Sequence, residues 1–209
     1  GPAISGVEIR IADDGEILCK GPNVMKGYYK EPEFTREVID SDGWLHTGDI
    51  GIMVEGRYLK ITDRKKEIFK LSSGKYVAPQ VIENKLKESP FIEQVMVIGE
   101  NQKFASAIIS PDFNFLHNWA MRHGINFRDN LELIQHPQLV ARYQRVVNEM
   151  NVQLGQTEQI KRFRLVQEEW TPNTGELSPT LKLKRKFLAQ RYESTIEEIF
   201  SVQRGELTD

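Results

Sequence analysis

Apolar and polar residues alternate in short stretches of roughly the first sixty positions; beyond them, apolar residues recur mostly at helical spacing. Residues 7–11 (Val-Glu-Ile-Arg-Ile) and 16–19 (Glu-Ile-Leu-Cys) read as short strands around an Asp13-Asp14-Gly15 turn. A Gly-, Pro- and Tyr-rich loop from Gly21 to Lys30 follows, and Pro32 opens a short helix through Ile39. The clearest pattern is a hairpin. Ile50–Val54 and Arg57–Ile61 alternate on either side of a Glu55-Gly56 turn, where Gly supplies the positive φ a tight turn needs. Residues 1–62 are therefore expected to form a small β-barrel or sheet. Four or five apolar strands are few for an independent core, so packing against further sequence is expected.

The texture changes after a charge cluster at Asp63–Lys66. Glu67–Leu71 reads as a strand. Pro79 starts a helix through Glu88 with Val81, Ile82 and Leu86 on one face. Ile92–Ile98 and Phe104–Ile109 pattern as a second hairpin, and Phe113–His123 as a helix. A longer helix, Gln138–Leu154, turns Leu139, Tyr143, Val146, Val147 and Met150 inward. A strand at Phe163–Val166, a loop at Thr171–Thr180 and a last helix at Phe187–Phe200 complete the series. The fold class is α+β: a β-rich part (1–62), a joint (63–66) and a compact α+β domain (67–209).

Composition narrows the picture only modestly. The 209 residues are 39% hydrophobic and 28% charged with a net charge of −2, which gives no general drive towards nucleic acid or anionic lipid. Cys19 is the only cysteine, so no intrachain disulfide forms, which suits a reducing cytoplasm. No apolar run approaches the roughly 20 residues of a membrane span. The start, Gly1-Pro2-Ala3, lacks Met and any signal-peptide pattern and reads as a cut into a longer protein. His117 and His123 lack metal-ligand spacing, so no metal site is expected.

Candidate chemistry gathers at the hairpin. It brings Asp49 towards the end of the opposite arm, where Asp63 and Arg64 leave. A carboxylate can accept both bonds of a vicinal diol, and a guanidinium fork suits phosphate oxygens. Taken locally, Gly48-Asp49 is equally a turn cap, Asp63 and Arg64 are strand-end charges, and Lys65, Lys66 and Glu67 are a solvated face. Ser72-Ser73-Gly74-Lys75 has too few glycines, and no following Ser or Thr, for a triphosphate cradle. Lys182, Lys184, Arg185 and Lys186 form a basic cluster of the kind that is usually solvated or contacts nucleic acid.

Four motifs together resemble the adenylate-forming acyl-CoA synthetases. They are Trp44-Leu45-His46-Thr47-Gly48-Asp49, Ile61-Thr62-Asp63-Arg64-Lys65-Lys66-Glu67, Ser73-Gly74-Lys75-Tyr76-Val77-Ala78-Pro79, and the run from Leu177 to Lys186. They stand in the family's order, and the wording of the last two is closest to long-chain fatty acid–CoA ligases. The resemblance implies a ligase that joins ATP and a fatty carboxylate into acyl-AMP, then passes the acyl group to CoA. It implies that Asp49 binds the ribose hydroxyls, Arg64 contacts the nucleotide and Asp63, its side chain kept in solvent, is the hinge of a mobile C-terminal domain. Gly74 and Lys75 would lie on the loop that serves the CoA step, and Lys184 would be the adenylating lysine. Leu183 stands where the family usually has Gly, so Lys182 remains the runner-up. His46 would order the loop before Asp49. Mg2+ would be held mainly by residues upstream; the family's phosphate loop, its Mg2+-binding Glu and its acyl tunnel are absent from these 209 residues. The fragment alone is therefore expected to be inactive. Two other readings stay open: an adenylation domain that loads a carrier protein, and a basic module binding nucleic acid or lipid. Peripheral membrane contact of the full-length protein also stays open.

Overall fold

The computed structural model describes residues 1–201, so residues 202–209 of the expected 67–209 domain lie outside the described residues. The chain divides into two compact units, the first spanning Gly1–Ile68 and the second starting at Phe69. Among the described residues no helix is long and apolar enough to cross a membrane.

Unit 1 is a four-stranded antiparallel sheet in chain order: β1 (Glu8–Ile11), β2 (Glu16–Lys20), β3 (Leu45–Val54) and β4 (Tyr58–Arg64), with helix α1 (Pro32–Val38) between β2 and β3. The expected hairpin is longer than its apolar alternation indicated. Strand β3 begins at Leu45 and β4 runs to Arg64, so Asp49 lies within a strand rather than just before one. Backbone pairing explains the difference, because hydrogen bonds to β2 and β4 extend over polar residues that carry no period-2 signal. At the hairpin turn both Glu55 (φ 53°) and Gly56 (φ 64°) are left-handed, the pattern of a type I′ turn. The core of this unit is thin. Ile17, Leu18 and Cys19 are buried, whereas Ile52, Met53, Val54, Tyr58 and Ile61 are exposed.

Unit 2 opens with a two-residue ladder, β5 (Phe69–Lys70) with β6 (Tyr76–Val77), shorter than the expected Glu67–Leu71 strand. Helix α2 (Pro79–Leu86) follows, then strands β7 (Ile92–Ile98) and β8 (Ala105–Pro111), which pair antiparallel. Helices α3 (Phe113–Arg122), α4 (Asn130–Gln135) and α5 (Pro137–Asn151) lead to β9 (Ile160–Leu165), which pairs parallel with β8. A parallel return needs a crossover of a dozen or more residues, and α3–α5 supply it. Two short helices, α6 (Arg185–Arg191) and α7 (Glu193–Ser201), end the described chain.

Every residue of β8 is buried because its sheet is covered on both faces. Val95, Val97, Ala105, Ala107 and Ile109 face a large core with α2, α3 and α5, while Met96 and Ile108 face a second core with Trp170, Leu188 and Ile199. That two-sided burial erases alternation, which is why the pattern alone could not locate the second core. Three expectations need correction. Val81 is exposed: Ile82 and Leu86, one turn apart, set the inward face of α2 and leave Val81 off it. The expected Phe187–Phe200 helix breaks at Tyr192, whose hydroxyl accepts a hydrogen bond from Trp170 Nε1 at 3.0 Å. Helix α4 was not anticipated; Asp129 caps it by accepting from Glu132 N–H at 2.8 Å.

Candidate functional site

Asp49 and Arg64 are register partners on β3 and β4. Arg64 Nε donates to Asp49 Oδ1 at 3.0 Å, with the side chains 52% and 24% exposed, so both remain reachable from solvent. The ion pair is made through Nε of the guanidinium. The structure thus pairs the two residues that the hairpin pattern was expected to bring near one another.

What holds this pair lies behind it. Glu16, buried at the start of β2, accepts from three directions: His46 Nδ1–H at 2.9 Å, Lys65 Nζ at 2.9 Å and Gly48 N–H at 3.0 Å. Lys65 also pairs with Asp14 at 2.7 Å, and its backbone N–H donates to the Gly48 carbonyl at 2.8 Å. Thr47 Oγ1 donates to the Ile17 carbonyl at 2.7 Å and accepts from Asp49 N–H at 3.1 Å. Residues 46–49 are therefore pinned to β2 on one side and to the end of β4 on the other.

Protonation follows from this geometry. Burial alone would raise the Glu16 carboxyl, but the His46 and Lys65 hydrogen bonds outweigh it and hold the group below its ordinary value. Lys65 is pushed above its ordinary value by Asp14 and Glu16, and Asp14 is lowered chiefly by Lys65. Lys65 is accordingly an anchor rather than part of a solvated face. Glu16 was missed entirely. Four consecutive buried residues, Glu16–Cys19, give no periodic signal, and only the register places Glu16 beside His46 and Gly48.

Asp63 sits in β4 opposite Ile50 and is buried, which corrects the expectation of a solvated side chain. Its Oδ1 accepts from the Arg64 N–H at 2.6 Å. The boundary between the two units falls five residues further on, after Ile68.

The remaining candidates belong to unit 2. Gly74, at φ +84°, forms the turn between β5 and β6 by donating its N–H to the Leu71 carbonyl at 2.9 Å. A Cβ there would meet only Lys70 Cε at 3.8 Å, so the backbone conformation, not crowding, selects Gly. Lys75 is exposed beside it, and its carbonyl accepts from Leu71 N–H.

Residues 178–182 make a tight turn: Leu181 (φ 59°) donates to the Ser178 carbonyl, Ser178 N–H donates to the Lys182 carbonyl, and an isolated bridge joins Leu177 to Leu183. Leu183 is not among the residues with positive φ, and its side chain packs on the second core. At position 183 the backbone therefore has no need of Gly. Lys184 precedes α6 with its Nζ 5.2 Å from the Phe187 ring centroid, and Lys182 is exposed on the turn. Arg185 is not a solvated member of the basic cluster: it grips Glu83 through two bonds of 2.7 Å, while Glu83 also accepts from Val97 N–H at 2.8 Å. Among the described residues no group of three or more His, Cys, Asp and Glu could hold a metal ion.

Comparison with known proteins adds to this geometry. The family model for the AMP-binding enzyme C-terminal domain matches residues 66–204. Long-chain-fatty-acid–CoA ligase FadD15 of Mycobacterium tuberculosis is 38% identical over 202 residues, covering 96% of this chain and 34% of the relative. Human long-chain-fatty-acid–CoA ligase 6 is 41% identical over 196 residues, covering 90% of this chain and 27% of the relative. The chain thus spans about a third of the length of the curated relatives it matches. Among solved structures, the adenylation domain of a Mycobacterium chelonae carboxylate reductase superposes with a TM-score of 0.74 at 25% identity, covering 96% of this chain and 32% of that one.

Proposed function

The chain belongs to the AMP-binding enzyme C-terminal domain family, and we propose that it is the C-terminal portion of an ATP-dependent long-chain fatty acid–CoA ligase. The observation that carries this reading is the Asp49–Arg64 pair, held open to solvent on adjacent strands by the buried Glu16. A ribose presents two neighbouring hydroxyls, and Asp49 accepts from both. The phosphate that follows meets the terminal guanidinium nitrogens of Arg64.

The proposed reaction has two steps. The fatty carboxylate oxygen attacks the α-phosphorus of ATP, a new P–O bond forms, and pyrophosphate leaves. The acyl carbon then bonds to the sulfur of CoA, and AMP leaves with the C–O bond electrons. A carboxylate becomes a useful electrophile only when its oxygen is turned into such a leaving group. Lys184 supplies positive charge beside the α-phosphate in the first step, an electrostatic contribution; Lys182 is the alternative. Asp63, at the end of unit 1, serves as the pivot on which unit 2 turns between the steps, and the Gly74–Lys75 loop serves the CoA step. Mg2+ is proposed to be bound by the rest of the enzyme. A cytoplasmic location is proposed with it, supported by the single, buried Cys19.

The match to an adenylation domain of a carboxylate reductase fits in part a second reading, in which the acceptor is a carrier-protein thiol rather than free CoA. The basic nucleic-acid module loses support because Arg185 is committed to Glu83. The test is product analysis with the full-length protein, ATP, palmitate and CoA. Palmitoyl-CoA and AMP are expected in equal amounts. Formation of ADP, or acyl-AMP that turns over only with a carrier protein, would refute the ligase reading.

A further inference from the structure

Unit 2 contains a groove built from none of the residues placed in the proposed site. It lies between α3 and α5, has a volume of ≈ 660 Å³, and is walled by Phe91, Phe115 and Trp119 with His123, Arg142 and Arg145 at its polar side. That volume lies within the roughly 300–1,000 Å³ of small-molecule clefts. No residue lining it is acidic.

The charge is one-sided and unspent. Arg142 and Arg145 stand one turn apart on α5, so both guanidinium groups can reach one headgroup. Among the described residues neither is paired with a carboxylate. Arg142 instead lies over the Phe91 ring, 4.8 Å from its centroid. The ring faces are already occupied in the same way. His123 stacks on Trp119 at 4.2 Å and is fixed there by donating Nδ1–H to the Trp119 carbonyl at 2.8 Å. Phe115 and Trp119 meet Phe91 edge-on. These stacks leave no pair of facing rings to sandwich a nucleobase. The aromatic wall suits a flexible aliphatic chain, and the arginine rim suits an anion.

We propose that this groove binds an amphipathic carboxylate: Arg142 and Arg145 take the headgroup, and the alkyl chain lies along Phe115 and Trp119. The site is separate from the substrate position proposed above and does not depend on that reading.

Calorimetric titration of the chain with decanoate tests it, with decanol as the uncharged analogue and AMP as a planar anion. Tryptophan emission is followed in parallel, because Trp119 lines the groove. Decanoate is expected to bind at one site with a change in emission that Trp119→Phe abolishes. Decanol is expected to bind at least about tenfold more weakly, the scale of one charge-assisted contact. Arg145→Gln, at an exposed position, should weaken decanoate by about tenfold and leave decanol unchanged. Arg142→Gln provides a second variant, with circular dichroism confirming that each variant folds. No decanoate binding, equal binding of decanoate and decanol, tighter binding of AMP that Arg145→Gln also weakens, or indifference to both arginine variants would each overturn the proposal.

Discussion

Removing the Glu16 carboxylate is expected to loosen the strand that carries Asp49 without touching Asp49 itself. Glu16→Ala deletes three contacts at once, those from His46, Lys65 and Gly48. The Gly48 N–H bond to a buried carboxylate is worth about 1.5–3 kcal/mol. Lys65 adds at most about 1 kcal/mol, because it is half exposed and retains Asp14 as a partner. Relief of the desolvation of Glu16 offsets part of this. The net expectation is about 2–3 kcal/mol of local stability, which corresponds to roughly thirty- to a hundred-and-fifty-fold faster exchange of the Gly48 amide. Hydrogen exchange resolved at β2 and β3 reads this directly, and unit 2 amides such as Val97 serve as the internal control. Glu16→Gln should have a smaller effect, since its carbonyl still accepts from Gly48 N–H while its amide cannot accept from Lys65. If Gly48 exchange changes by less than about threefold in Glu16→Ala, the network does not hold the Asp49 strand, and the account of how the pair is positioned fails.

Other consequences are equally open to measurement. In the full-length enzyme, Asp49→Ala should weaken AMP binding by about 1.5–3 kcal/mol in calorimetry, and an unchanged affinity would remove the ribose assignment. Lys184→Ala should slow pyrophosphate release roughly a hundred- to a thousand-fold while thioester formation from preformed acyl-AMP stays near wild type. Should Lys182→Ala produce that signature instead, the register is wrong by two residues. Arg185→Ala strands the buried Glu83 and should destabilise unit 2 by about 3–5 kcal/mol, seen as a lower melting temperature of its transition. The Glu16 network also sets a pH window for unit 1. Glu16 is depressed in the folded state, so its stabilisation is present above the unfolded carboxyl value of 4.5 and is lost as pH falls through the lower folded value. Lys65 is raised, so its share is complete below 10.5 and is lost as pH rises through the higher folded value. Unfolding of unit 1 followed across acid pH should lose this component in wild type and show little of it in Glu16→Ala.

Much of the chain was decided locally. Alternation located the β3–β4 hairpin and helical spacing located α2, α3 and α5, while motif wording named Asp49, Arg64, Gly74 and Lys184 only as candidates. These features depend on neighbours within a few residues, where turn chemistry and periodicity act directly on the backbone. Leu183 shows the limit of motif wording. Its departure from the usual Gly left the loop geometry open, yet Leu183 is not left-handed and its side chain packs on the second core. Tertiary structure alone decided the rest. Glu16 meets Gly48 across 32 positions, and Arg185 meets Glu83 across 102. Asp63 was expected to stay in water and is buried, and β8 carries apolar residues on both faces because two cores enclose it. A buried charge and its partner follow no period along the chain; they are chosen by strand register and packing, which exist only once distant segments have met.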